Sequence, residues 1–156
     1  MRLAFCFFML SLLLSSCDSR RIYEENRDFD KRMWLAADTA EFQFQVPDAV
    51  DNLYNVQFSV RNTRDYKWSN IFVNFVLADS AGQVLSSKLV SNYLFEQKTG
   101  KPLGGSGVGD IYDHQFPLLN AYGLKPGKYS VTLQQFMRVD TLDGILAVGV
   151  RVEKSD

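Results

Sequence analysis

From Glu41 onward, apolar and polar residues alternate. Phe42, Phe44 and Val46 interleave with Glu41, Gln43 and Gln45, and Pro47-Asp48 stops the run. Tyr54, Val56, Phe58 and Val60 interleave with Asn55, Gln57 and Ser59. Successive side chains of a strand point to opposite faces, so each stretch predicts a strand with one apolar face. Ile71 to Leu77 is almost continuously apolar, the pattern of a strand covered on both sides. Asp79-Ser80-Ala81-Gly82 predicts a turn that returns Val84 to Val90 as a hairpin partner. Tyr112 to Leu118 predicts another short strand, and Leu124-Lys125-Pro126-Gly127 predicts a turn into Tyr129, Val131 and Leu133. There the alternation slips by one, which places Phe136 rather than Gln135 on the inward phase, through a bulge. Leu146, Val148, Val150 and Val152 alternate with Ala147, Gly149 and Arg151 in a last strand. Phe58 and Phe75 fall on inward phases of different strands and are expected in the core. No stretch beyond the N-terminal leader sustains a helical period. Seven or eight short strands with turn signals predict an all-β fold, an antiparallel β-sandwich of jelly-roll type over residues 41–156.

The first 40 residues follow another pattern. Met1 and Arg2 form a short positive head, and Leu3 to Leu14 is an apolar run broken only by Ser11. Twelve residues are too few for a bilayer core, which takes roughly 20 in helix, but they suit the apolar region of a signal peptide. The run ends in Leu14-Ser15-Ser16-Cys17, which resembles the bacterial lipobox: a branched apolar residue, two small residues, then the cysteine that carries the lipid. Residues 1–16 are therefore expected to be a lipoprotein signal peptide and Cys17 the lipidation site. One myristoyl chain binds a membrane only marginally, so three acyl chains on one cysteine would hold the protein permanently. The expected location is the bacterial cell envelope, with the outer membrane ahead of the inner, although Asp18 directly after the cysteine retains lipoproteins in the inner membrane of some bacteria. Residues 17–40 carry many charges of both signs and no period of two, which predicts a tether and arm. Ile22, Tyr23, Phe29, Met33, Trp34 and Leu35 are the arm residues expected to pack onto the domain.

Composition narrows the chemistry. The net charge of −1 leaves no basic excess to neutralise phosphates, so nucleic acid is not an expected partner. His114 is the only histidine, and Cys6 and Cys17 are the only cysteines. That inventory excludes a multi-His or multi-Cys zinc site, a haem-attachment motif and an internal disulfide in the mature chain. No cofactor is expected. Half of the ten glycines lie between Gly100 and Gly109. The dinucleotide G-x-G-x-x-G pattern fails because Asp110 holds its last position, the phosphate-binding loop motif is absent, and the G-x-S-x-G elbow fails at Val108. The segment is expected to be a turn-rich loop, or else a surface that lets a partner's backbone approach closely. On the second reading Gly107, Gly109, Asp110, Tyr112, Asp113 and His114 are the candidate partner-binding residues. Without a nucleophile motif, His114 is expected to be hydrogen-bonded to a neighbouring carboxylate or carbonyl as part of the fold, rather than catalytic. Asp140 to Gly144 is expected to be a tight turn and not a calcium loop. Asp65-Tyr66-Lys67-Trp68 is expected to be a turn whose ring caps the core, the alternative being a sugar-stacking platform.

Several stretches together carry a resemblance. The lipobox is followed by Tyr23-Glu24-Glu25-Asn26, Asp28-Phe29 and Trp34, then by Ser91-Asn92-Tyr93-Leu94-Phe95 and Gln97-Lys98-Thr99-Gly100-Lys101-Pro102. Gly107-Val108-Gly109-Asp110-Ile111-Tyr112-Asp113-His114, Gln135-Phe136-Met137-Arg138 and Gly144 to Gly149 complete the set. The chain resembles, over essentially its whole length, the gliding motility lipoprotein GldH family. The resemblance implies a non-enzymatic envelope lipoprotein, a structural or interaction component of the gliding motility apparatus and the associated protein secretion system. Its implied partners are other motility lipoproteins and secretion-system components, besides the membrane reached through its lipid anchor. It carries over no catalytic residue. The alternative expectation is a carbohydrate-binding envelope lipoprotein built on the same jelly-roll module.

Overall fold

A computed structural model of the chain describes residues 19–47, 52–107 and 109–156. The expected signal peptide and Cys17 lie outside the described residues. The strands are β1 (Arg21–Asp28), β2 (Met33–Leu35), β3 (Ala40–Val46), β4 (Asn52–Thr63), β5 (Asn70–Asp79), β6 (Val84–Tyr93), β7 (Gly105–Ser106), β8 (Ile111–Leu124), β9 (Gly127–Gln135), β10 (Thr141–Asp143) and β11 (Ile145–Lys154). One sheet has the order β1-β11-β4-β8-β7 and the other β3-β9-β5-β6, while β2 and β10 form a small separate pair. Every pairing is antiparallel. Taking the eight long strands in chain order, the two four-stranded layers have the strand order of a jelly roll, as the alternation predicts.

The inward phases supply the core. In β3 burial alternates strictly, with Ala40, Phe42, Phe44 and Val46 inside. Tyr54, Val56, Phe58 and Val60 from β4 belong to the same apolar cluster as Ile71, Val73, Phe75 and Leu77 from β5, and Phe58 and Phe75 are fully buried. Val148, Val150 and Val152 of β11 and Val131 and Leu133 of β9 complete its centre.

Four local expectations are revised. First, β5 alternates between buried and half-buried residues instead of being covered on both faces, because among the described residues no layer packs outside its sheet. Second, Gln135 is buried and Phe136 is exposed. The strand keeps its phase because the Gln135 amide satisfies itself inside: Nε2 donates to Val139 O at 3.0 Å and Oε1 accepts from Met137 N–H at 2.8 Å. Third, β8 runs over 14 residues and kinks where its register against β4 shifts. Ala121 there takes φ 47°, held by its N–H donating to Asn55 Oδ1 at 2.9 Å. Fourth, from Arg21 the expected arm is part of the sandwich, since β1 pairs with β11 from Arg21↔Glu153 to Asp28↔Ala147. Phe29 and Trp34 then stack at 5.3 Å beneath the end of the barrel of side chains, and Trp34 Nε1 donates to Asp38 O at 2.7 Å.

The connections are unequally shared between the two ends of the sandwich. At the end where β1 begins and β11 finishes lie the links 80–83 and 125–126, together with the end of β3 and the start of β4. The opposite end carries 29–39, 64–69, 94–110 and 136–144. The long links, the β2–β10 pair and the Gly-rich segment therefore all share one end.

Candidate functional site

Loops on a rigid sandwich are where recognition residues concentrate, and the loop-bearing end has the apolar surface that such a role needs. Leu35, Tyr93, Leu103 and Phe136 are exposed there. Phe136, 61% exposed, is thrown outward by the inward turn of Gln135. It lines a cleft of about 480 Å³ with Trp68, Asn70, Phe72, Leu89, Met137 and Arg138. Trp68 also walls a second cleft of about 260 Å³, bounded by Arg64, Tyr66, Phe95, Glu96 and Gly100. One half-buried indole thus separates two recesses. Tyr66 holds it edge-on at 5.5 Å, and the Tyr66 hydroxyl donates to Asn70 O at 2.9 Å. Burial pushes the Tyr66 phenol well above its ordinary pKa, so it remains a neutral donor. Because Tyr66 is buried, Asp65 to Trp68 forms the core-capping turn and presents no row of exposed rings.

The Gly-rich segment forms a tight two-residue strand, and its predicted residues divide between surface and core. Gly105 and Ser106 pair with Asp113 and Tyr112, and Gly107 N–H donates to Ile111 O at 2.9 Å. A Cβ on Gly104 would lie 2.7 Å from the His114 ring, so glycine is required for that close approach. Gly109 turns the chain at φ +74°, and Asp110 O accepts from Arg64 N–H at 3.1 Å. Gly107, Gly109, Asp110 and Asp113 face solvent. Tyr112 and His114 point inward, Tyr112 meeting Phe95 edge-on at 5.9 Å and His114 stacking on Phe116 at 5.8 Å. The expected hydrogen bond of His114 is not formed: its Nε2 has no partner among the described residues. Burial lowers its pKa, with the Asp113 carboxylate pulling weakly the other way, so the ring is neutral at physiological pH. Nor do Asp113 and His114 form a catalytic pair, because adjacent residues of a strand point to opposite faces.

Asp113 belongs instead to the outer, polar face of the five-stranded sheet. Register aligns Asn26, Gly149, Ser59 and Gln115 in one row, and Asp28, Ala147, Arg61 and Asp113 in the next. Arg61 Nε donates to Asp113 Oδ1 at 2.7 Å, Arg151 Nε donates to Glu153 at 3.0 Å, and Ser59 Oγ donates to Asn26 Oδ1 at 3.0 Å. The exposed Arg61–Asp113 pair is worth about 0–1 kcal/mol, and the face is largely satisfied within itself. No group of three or more His, Cys, Asp or Glu side chains that could hold a metal occurs among the described residues. Of the predicted residues, Gly107, Gly109 and Asp110 are exposed at the loop-bearing end, whereas Tyr112 and His114 are buried. The cleft of Phe72, Leu89, Phe136 and Met137 escapes sequence inspection, because its walls come from three separate segments.

The sequence profile of the GldH lipoprotein family matches residues 21–152. A gliding motility lipoprotein GldH homolog from Christiangramia forsetii is 32% identical over 97% of this chain and 95% of its own length. The gliding motility lipoprotein GldH of Flavobacterium johnsoniae is 27% identical over 95% of this chain and 94% of its own. Among solved structures, a carbohydrate-binding module specific for non-crystalline cellulose has a TM-score of 0.44 and 12% identity, covering 85% of this chain and 73% of that one. So low a score supports neither a common fold nor a common ligand.

Proposed function

The chain belongs to the GldH lipoprotein family, and from that premise we propose that it is a non-enzymatic interaction component of a gliding motility apparatus and of the protein secretion machinery that serves it. It is a membrane-anchored envelope lipoprotein. In this proposal Cys17 is the acylated residue and the outer membrane is the one it occupies. The observation that carries the reading is the family match across nearly the whole mature chain. The loop-bearing end supports an interaction role: it combines exposed Phe136 and Leu103 with two recesses beside Trp68. Exposed apolar side chains grouped around a cleft mark association surfaces more often than catalytic ones. In this proposal the exposed Gly107, Gly109 and Asp110 at the same end add polar contact surface, and the partners are other motility lipoproteins or secretion components.

The test is deletion of the gene in its own host, complemented with the wild-type chain or with Cys17→Ser. Movement over a surface and the amount of surface-exported protein are scored together. Loss of both, restored only by the chain that can be acylated, is the expected result. A deletion strain unchanged in both overturns the proposal.

A further inference from the structure

The proposed lipid at Cys17 fixes more than location, because very little chain separates it from the folded domain. Arg20 is already tied down: its carbonyl accepts from Lys154 N–H at 2.9 Å, and its guanidinium pairs with Asp156 at 2.5 Å. Three Cα–Cα spacings of 3.8 Å separate Cys17 from Arg20, so the acylated residue lies within about 11 Å of that end of the sandwich. A ten-residue strand is about 33 Å long. The short-link end is therefore held at the lipid, and the only freedom left is whether the sandwich stands or lies down.

Exposed side chains at that end decide between the two. Leu53, at the start of β4, is 50% exposed, and Val84, at the start of β6, is 57% exposed. They belong to opposite sheets and lie on opposite outer sides, so one lipid plane can reach both only if the strands stand up from it. Lys125 and Lys128 occupy the link and strand start between the sheets, carry no ion pair among the described residues, and can extend to headgroup phosphates as interfacial lysines do. Among the described residues at this end, Asp79 accepts from Ala81 and Gln83 N–H at 2.9 Å each, and Asp156 holds Arg20.

We infer that the end bearing Arg20, Leu53, Val84, Lys125 and Lys128 rests on the membrane surface, and that the sandwich stands upright with its long loops presented about 30 Å away from the lipid. The inference rests on acylation at Cys17. Because Cys6 and Cys17 are the only cysteines, any introduced cysteine is the sole free thiol of the acylated mature chain. The lipidated protein is reconstituted in phosphatidylethanolamine–phosphatidylglycerol vesicles. Leu53→Cys, Val84→Cys, Leu103→Cys and Phe136→Cys are labelled in turn with an environment-sensitive fluorophore, and quenching by headgroup spin-labelled lipid is measured. Several-fold stronger quenching at both 53 and 84 than at 103 and 136 is expected. Equal quenching at the two ends, or quenching at only one of 53 and 84, shows a sandwich lying on its side and overturns the orientation alone. Mass spectrometry of the N-terminal peptide separates the premises: a mature chain without lipid on Cys17 overturns the acylation and the orientation together.

Discussion

Gly149 sits at the centre of a polar sheet face and has no room for a methyl group. A Cβ there would fall 2.1 Å from Asn26 Oδ1, 2.6 Å from Ser59 Oγ and 2.7 Å from the Glu25 carbonyl oxygen, so two neighbouring side chains bond across it. Gly149→Ala must displace the Asn26 and Ser59 side chains and crowd the β1 backbone at Glu25, and is expected to cost about 1–3 kcal/mol in chemical denaturation. His114 sets a pH dependence instead. Its folded pKa lies below its ordinary value of 6.5 because burial disfavours the charged ring. Stability is then complete above about pH 6.5 and falls as pH drops through that value toward the folded pKa. The melting temperature is expected to decline as pH falls through about 6.5, and His114→Gln to flatten that decline. The contrast between Gln135 and Phe136 shows what a residue pattern misses. Hydrophobicity alone assigns the inside to phenylalanine, whereas the glutamine takes it by bonding its amide to Val139 and Met137. Phe58 obeys the simple rule: it is fully buried, and Phe58→Ala is expected to cost about 3–5 kcal/mol in the same denaturation assay.

Strands differ in how plainly they can be read. β3, β4 and β9 alternate because one face meets the core and the other meets water. β1 has no such pattern, since it is an edge strand with both faces at least partly open and Glu25 exposed on the row of Val150. Its place is determined by pairing with β11, a long-range contact that local periodicity does not encode. The chain from Arg21 to Leu35 nevertheless contributes Phe29 and the fully buried Trp34 to the core. A chain beginning at Glu41 therefore loses an edge strand and two core rings. It is expected to lose its cooperative melting transition, while a chain beginning at Ser19 keeps it, with circular dichroism as the readout.

At the level of the whole molecule, the sandwich was legible because seven short apolar or alternating stretches separated by turn signals leave few other solutions. The recesses beside Trp68 were not, since one exists only where residues 64–69 meet 95–100 and the other only where Trp68 and residues 136–138 meet the sheet. Phe136→Asp combined with Leu103→Asp alters only exposed positions. It is expected to change folding stability by no more than about 0.5 kcal/mol, yet to fail in complementation of the deletion strain; full complementation at normal protein level places the interface elsewhere. The placement of β1 has a mechanical consequence as well. If Cys17 is acylated as proposed, β1 enters the sandwich at the end nearest the lipid, and it runs antiparallel along β11 toward the loops. A pull between the lipid and a partner at the far loops acts along that strand pair, while its backbone hydrogen bonds lie across the direction of force. The bonds are then loaded together in shear and cannot unzip in sequence, so rupture under such a load requires the whole β1–β11 ladder to yield at once.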